Sequence, residues 1–114
     1  MKNKTKKNLI IDAANEKIIF KIIDNNKIYT NDYENSRKNF DKFVIFLFKF
    51  LNKKMVSFDI IDKVIINLGP GKYTSIRTSL SILKALSLIY KFKIYGFSSK
   101  DVEKYDYSRA VSYT

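Results

Sequence analysis

Residues 68–86 read LGPGKYTSIRTSLSILKAL. Just before them, Lys63 to Leu68 (KVIINL) is a short apolar run of the strand type. Gly69-Pro70-Gly71 then breaks the chain sharply, since glycine reaches conformations that other residues avoid and proline presets φ for a turn. Helical spacing resumes at Ile76, Leu80, Leu83, Ser87 and Tyr90, with Ile82, Leu86 and Ile89 on an adjoining face. Thr74 or Ser75 is placed to cap that helix. A strand, a glycine turn and a long apolar helix make one unit of an α/β sheet.

Upstream, Asn8 to Ala13 (NLIIDA) and Lys17 to Asp24 (KIIFKIID) are strand-like. Asp24-Asn25-Asn26 is a turn signal, and Lys27 to Thr30 (KIYT) completes a hairpin with the second strand. Asn31 to Asn35 is a polar loop, and Ser36 caps the next helix. That helix is predicted over Arg37 to Lys53, with apolar residues at Phe40, Phe43, Val44, Leu47, Phe50 and Leu51. Ser57 to Asp62 is a connector with room for one helical turn. Downstream, Lys93 to Phe97 (KIYGF) is a last strand, and Ser98-Ser99 is placed to cap a helix from Lys100. The order is βββαβαβ, which implies a mixed five-stranded sheet with helices packed on it. One domain is expected over residues 8–99, between a basic tail at 1–7 and a polar tail at 100–114.

Composition narrows the chemistry. The chain has 114 residues, no cysteine and no histidine. That removes a disulfide framework, a Cys/His zinc site, a thiol nucleophile and a histidine general base. Asp59, Asp62, Asp101 and Glu103 show no metal-ligand spacing. The apolar run after the basic N-terminus is too short for a signal peptide, and Phe43 to Leu51 is too short to span a bilayer. The expectation is a cytoplasmic protein with no membrane contact.

The net charge of +11 points toward nucleic acid. Of the 22 basic residues, however, only Arg37, Arg77 and Arg109 are arginine, and the lysines are scattered. Lysine, isoleucine, asparagine, phenylalanine and tyrosine all have AT-rich codons. A biased genome therefore raises lysine without selection for phosphate contact.

The turn at residues 69–71 resembles a phosphate loop only superficially. A Walker loop needs Ser/Thr after its lysine and an earlier glycine, where Tyr73 and Ile66 stand. The dinucleotide fingerprint needs a third glycine at Thr74. Two roles stay open: a turn that launches a packed helix, or an anion or partner site using the helix N-terminus with Arg77 and Lys84. Arg77 either binds phosphate or makes a structural pairing, and the pairing is favoured. Asp12, a lone carboxylate at a strand end, is expected to hydrogen-bond its own turn rather than serve as a ligand.

Gly69, Pro70, Gly71, Tyr73, Thr74, Ile76, Arg77, Leu80 and Lys84 resemble the TsaB family, also called YeaZ. That family carries a run close to G-P-G-S-F-T-G-[IL]-R-x-G-[LA], then a lysine, at a strand-to-helix junction. Its first strand ends in Asp-Thr-Ser, where this chain has Asp12-Ala13-Ala14. A Ser-Ser pair follows its last strand, matched by Ser98-Ser99. The likeness covers residues 8 to 99. Lys72 replaces the family's usual serine, and the family's second lobe has no counterpart before Thr114.

The resemblance implies half of the actin-like ATPase (ribonuclease H-like) fold, used as a non-catalytic scaffold. The implied partner is TsaD, which holds the metal and transfers threonylcarbamoyl to adenosine in ANN-decoding tRNAs. A TsaE-like ATPase acts on that pair. ATP and metal would thus sit on other subunits, tRNA would be met indirectly, and a homodimer is left open. Both helices are apolar over a wide arc, which implies a partner surface. The residues expected there are Phe43, Phe46, Phe50, Ile82, Leu86 and Ile89. Two other functions stay in play: a small basic RNA-binding module, and a degenerate fragment of the ATPase superfold without activity.

Overall fold

A computed structural model describes residues 7–24 and 27–98, together with the backbone of a short strand at 111–112. The strands are β1 (Lys7–Asp12), β2 (Lys17–Asp24), β3 (Lys27–Glu34), β4 (Ile61–Asn67), β5 (Lys93–Phe97) and β6 (Val111–Ser112). The helices are α1 (Arg37–Phe40), α2 (Phe43–Lys53) and α3 (Tyr73–Tyr90), with a 3₁₀ turn at Phe58–Ile60. The sheet order is β3-β2-β1-β4-β5-β6. β1, β4 and β5 run parallel, and the other pairings are antiparallel. The fold is the expected α/β half of a ribonuclease H-like, actin-like unit. The five expected strands are present, but β3 runs on through residues 31–34, expected as a polar loop, because they pair with β2, and the tail adds β6 at the edge beside β5. The helix proposed from Lys100, with Ser99 of its cap, lies outside the described residues.

Strand alternation sorts the side chains onto two faces. Leu9, Ile11, Ile18, Phe20, Ile22, Val64, Ile66 and Ile94 share one core cluster with Phe43, Leu47, Phe50 and Leu51 of α2 and Leu83 of α3. Both long helices thus cover the same face of the sheet. A second cluster on the other face holds Ile10, Ile65 and Phe97, with Ile23 and Tyr95 against it. Burial on both faces explains why β1 and β4 read as continuous apolar runs rather than alternating ones. Among the described residues, no helix is long and apolar enough to cross a membrane.

The helix predicted over 37–53 is divided. Ser36 caps α1 by accepting from the Asn39 amide at 3.1 Å. At Lys42 the backbone leaves helical geometry, with φ −105° and ψ 17°, and α2 starts one residue later. The step lets Phe40 stack on Phe43 at 5.1 Å while Phe43 turns into the core.

The expected partner surface needs correction on α2. Phe43 and Phe50 are each 1% exposed and pack under α2, so neither belongs to an outer surface. The physical reason is the breadth of what α2 covers. Phe20 of β2 meets Phe43 at 5.5 Å and Phe50 at 5.9 Å. Phe46 stacks on Tyr33 of β3 at 4.2 Å, and Phe48 meets Phe58 at 5.3 Å. The wide apolar arc is therefore used by the sheet, its edge strand and the 3₁₀ turn together. Burial pushes the Tyr33 phenol above its ordinary pKa. The large apolar and aromatic side chains left most open on the helices are Val44 and Ile45 of α2 and Tyr73, Leu88 and Ile89 of α3.

Phe20 is fully buried and central to this aromatic layer. Phe20→Ala is expected to lower unfolding stability by about 3–5 kcal/mol, read by urea denaturation followed by circular dichroism. A loss below about 1 kcal/mol would mean that the layer is not packed as described.

Candidate functional site

The β4–α3 turn rests on the β1–β2 turn, and buried polar groups hold the two together. β1 and β4 are adjacent parallel strands, so Asp12 and Asn67 end side by side. Both are buried. Asn67 Nδ2 donates to Asp12 Oδ1 at 3.0 Å, and the Ala14 amide donates to the same oxygen at 3.2 Å. Asn67 Oδ1 in turn accepts from the Gly69 amide at 2.8 Å. Asp12 thus holds its own turn, as expected from the sequence. Buried polar groups need such partners, because an unpaired one keeps its full desolvation cost.

The glycine turn makes close contact next. Gly69 has φ +101°, which disfavours a side chain there, and the Gly69–Pro70 peptide is cis. A Cβ on Gly71 would lie 2.3 Å from the Ala14 carbonyl oxygen and 2.7 Å from the Ala14 Cβ. The Lys72 amide donates to that Ala14 oxygen at 2.7 Å. Lys72 Nζ also reaches Glu16 at 3.9 Å, a surface pair that contributes little by itself.

Lys72 is the N-cap of α3 and its side chain makes no capping bond. The cap expected at Thr74 or Ser75 is thereby corrected, since both lie in the first turn. Ser75 instead donates its hydroxyl to Asn35 Oδ1 at 3.3 Å. Asn35 Nδ2 donates to the carbonyls of Ala13 at 2.9 Å and Asn15 at 2.8 Å. One carboxamide therefore joins the β1–β2 turn, the approach to α1 and the start of α3. Sequence reasoning missed Asn35 as an anchor, because its partners are remote in sequence and nothing local marks it within a polar loop. Asn67 was also missed, although a lone amide ending the run KVIIN before Gly-Pro was a usable signal.

Ile76 is buried and fastens α3. Arg77 donates to the Tyr73 hydroxyl at 2.8 Å, and its guanidinium lies 5.3 Å from the centre of that ring. Its partner is an aromatic side chain of its own helix rather than an acidic residue. Pro70, Tyr73, Arg77, Leu80 and Lys84 line an open surface cavity of about 680 Å³. A second cavity of about 690 Å³ lies beside the start of α3, with Arg37, Phe40, Lys72, Thr74 and Thr78 in its wall. Ile82 and Leu86 are partly buried against the main core, whereas Ile89 is 68% exposed. Of the six expected partner-surface residues, then, only Ile89 is largely open, while Phe46, Ile82 and Leu86 show a partial edge. Among the described residues, no three of His, Cys, Asp and Glu come together as metal ligands.

A mixed sheet in the order β3-β2-β1-β4-β5, with β1, β4 and β5 parallel and both long helices on one face, has the ribonuclease H-like, actin-like arrangement. Comparison with solved structures gives the same class. The chain is similar to YeaZ from Pseudomonas aeruginosa, with a TM-score of 0.74 and 15% identity, over 82% of this chain and 44% of that one. A Pseudomonas aeruginosa protein described as similar to peptidase YeaZ gives the same figures. RuvC from T. thermophilus, solved with a Holliday junction substrate, is similar with a TM-score of 0.59 and 8% identity, over 87% of this chain and 68% of that one. No protein-family model and no curated protein matches the chain. At these identities the likeness is one of fold, and the chain spans less than half the length of YeaZ.

Two substitutions test the clasp. Asp12→Ala leaves the Asn67 amide and the Ala14 N–H without their acceptor and is expected to cost about 1–3 kcal/mol. Gly71→Ala is expected to cost about as much by driving a Cβ into the Ala14 backbone. Thermal or urea unfolding of the two variants checks both. Wild-type stability in either would show that the turn is not seated on β1–β2 as described.

Proposed function

We propose that this chain serves as the N-terminal lobe of a TsaB-like accessory subunit that pairs with a TsaD-like protein in tRNA threonylcarbamoyladenosine synthesis. The observation that carries this reading is one of position. The run Gly-Pro-Gly, aromatic, Thr-x-Ile-Arg stands at the β4–α3 junction of a fold similar to YeaZ. The role is that of a scaffold. Asp12, the carboxylate at the first turn, already accepts from Asn67 and Ala14, and the chain has no histidine or cysteine to act as a base or nucleophile. ATP and metal would be held by the partner subunits, a TsaE-like ATPase would act on the pair, and the setting would be the cytoplasm.

The docking surface in this proposal is the outer edge of the helix layer rather than the buried face of α2. Leu88 is 75% exposed, Ile89 is 68% exposed and Ile45 is 55% exposed. Ile82 and Leu86 extend the α3 part of that surface toward the core. Exposed apolar side chains on a small domain are what an interface core uses. A second copy of the chain is the competing occupant.

The test is co-purification with TsaD from the same genome, read by size-exclusion chromatography with light scattering. A one-to-one complex is expected, and Leu88→Asp with Ile89→Asp should weaken it at least tenfold while leaving the fold intact by circular dichroism. Separate elution of the wild-type chain, together with TsaD activity in its absence, would overturn the proposal.

A further inference from the structure

A second surface lies on the opposite flank of α2, where the helix runs beside the edge strand β3. A groove of about 460 Å³ opens there, lined by Asn31, Tyr33, Lys49, Phe50, Asn52 and Lys53. Lys49 and Lys53 are four residues apart and so stand one above the other on the helix. Both are exposed, and neither forms an ion pair among the described residues. Lys54, the next residue, lies with its Nζ 5.1 Å from the centre of the Tyr29 ring on the same strand. Opposite the lysines, Asn31 donates to the Tyr33 hydroxyl at 3.1 Å. The carboxylates of β3 do not answer this charge. Asp32 and Glu34 alternate with Asn31 and Tyr33 and project from the other face of the sheet.

The groove thus offers ammonium groups at helical spacing with no ion pair among the described residues, two carboxamides and a phenol. It offers no open apolar anchor, since Phe50 is 1% exposed and Tyr33 stacks on Phe46. A protein partner would need such an anchor, and a membrane surface would need side chains to insert. Phosphate and sugar oxygens are met by lysine, asparagine and tyrosine side chains and need no apolar anchor. The geometry points to a binding groove for the phosphodiester backbone of single-stranded nucleic acid between α2 and β3. It lies away from the apolar surface on α3 and does not depend on docking to another subunit.

Fluorescence anisotropy of the full chain with a labelled mixed-sequence oligoribonucleotide of about 12 nucleotides tests this, titrated at several salt concentrations. Lys49→Gln with Lys53→Gln is expected to weaken binding about tenfold and to reduce the log–log salt slope by about 1.4, the value for two lost phosphate contacts on a single strand. Lys17→Gln with Lys93→Gln removes equal charge from exposed sites outside the groove and is expected to weaken binding less than about threefold, as a change in the general field. Lys49→Arg with Lys53→Arg should retain binding, which separates lost contact from lost folding. Tighter binding of RNA than of the same sequence in DNA would add ribose hydroxyls to the phosphates as the ligand, and equal binding would leave the phosphates alone. Equal losses in the two Gln pairs, no binding by the wild-type chain at about 50 mM salt, or capture by anionic vesicles instead of oligonucleotide would each overturn the assignment.

Discussion

The contact between Asn67 Nδ2 and Asp12 Oδ1, 3.0 Å long and buried, joins the ends of the two parallel strands at the centre of the sheet. Each group has a second commitment on its own chain segment. Asp12 holds the Ala14 amide and Asn67 holds the Gly69 amide. The two turns that leave these strands are thereby locked to each other. Neither group can be replaced by an apolar residue without leaving its partners unpaired in a dry setting. This clasp sets where β1 ends, where the glycine turn begins, and from what point α3 departs.

The helix layer follows from that departure point. Gly71 lies against Ala14 with no space for a side chain, so α3 starts close to the sheet and drops Ile76 and Leu83 into the core. Asn35 ties the same region to the approach to α1. α2 then fills the remaining width of the sheet and reaches β3 through the stacked pair of Tyr33 and Phe46. Two surfaces remain on its flanks. One is apolar and lies along the outer part of α3. The other is basic and lies beside β3. The chain therefore presents different chemistry at the two ends of one helix layer, although its lysines look scattered in sequence.

Much of the architecture was legible because it is local. The apolar runs at residues 8–13, 17–24, 63–68 and 93–97 needed only strand period and length to be recognised. Gly-Pro-Gly announced a turn, and Ser36 announced a helix start. The position of Asp12 at a strand end also announced a hydrogen-bonded turn. What failed was the use of helix arcs as a map of exposure. Phe43 and Phe50 lie in the same broad stripe as Phe46, and periodicity counts all three alike. Their different burial depends on the edge strand and the 3₁₀ turn that pack beside α2, which lie at distant positions in the chain.

The sequence by itself determined the order of elements, the strand–turn–helix unit at residues 63–90 and the absence of thiol or imidazole chemistry, since each follows from residue type and short-range spacing. Only the tertiary structure decided which apolar side chains remain outside, that Asn35 and Asn67 are anchors, and that Lys49 and Lys53 face Asn31 and Tyr33 across a groove. Those facts arise from contacts between residues far apart in the chain. A one-dimensional period carries no information about which distant element will cover a given face.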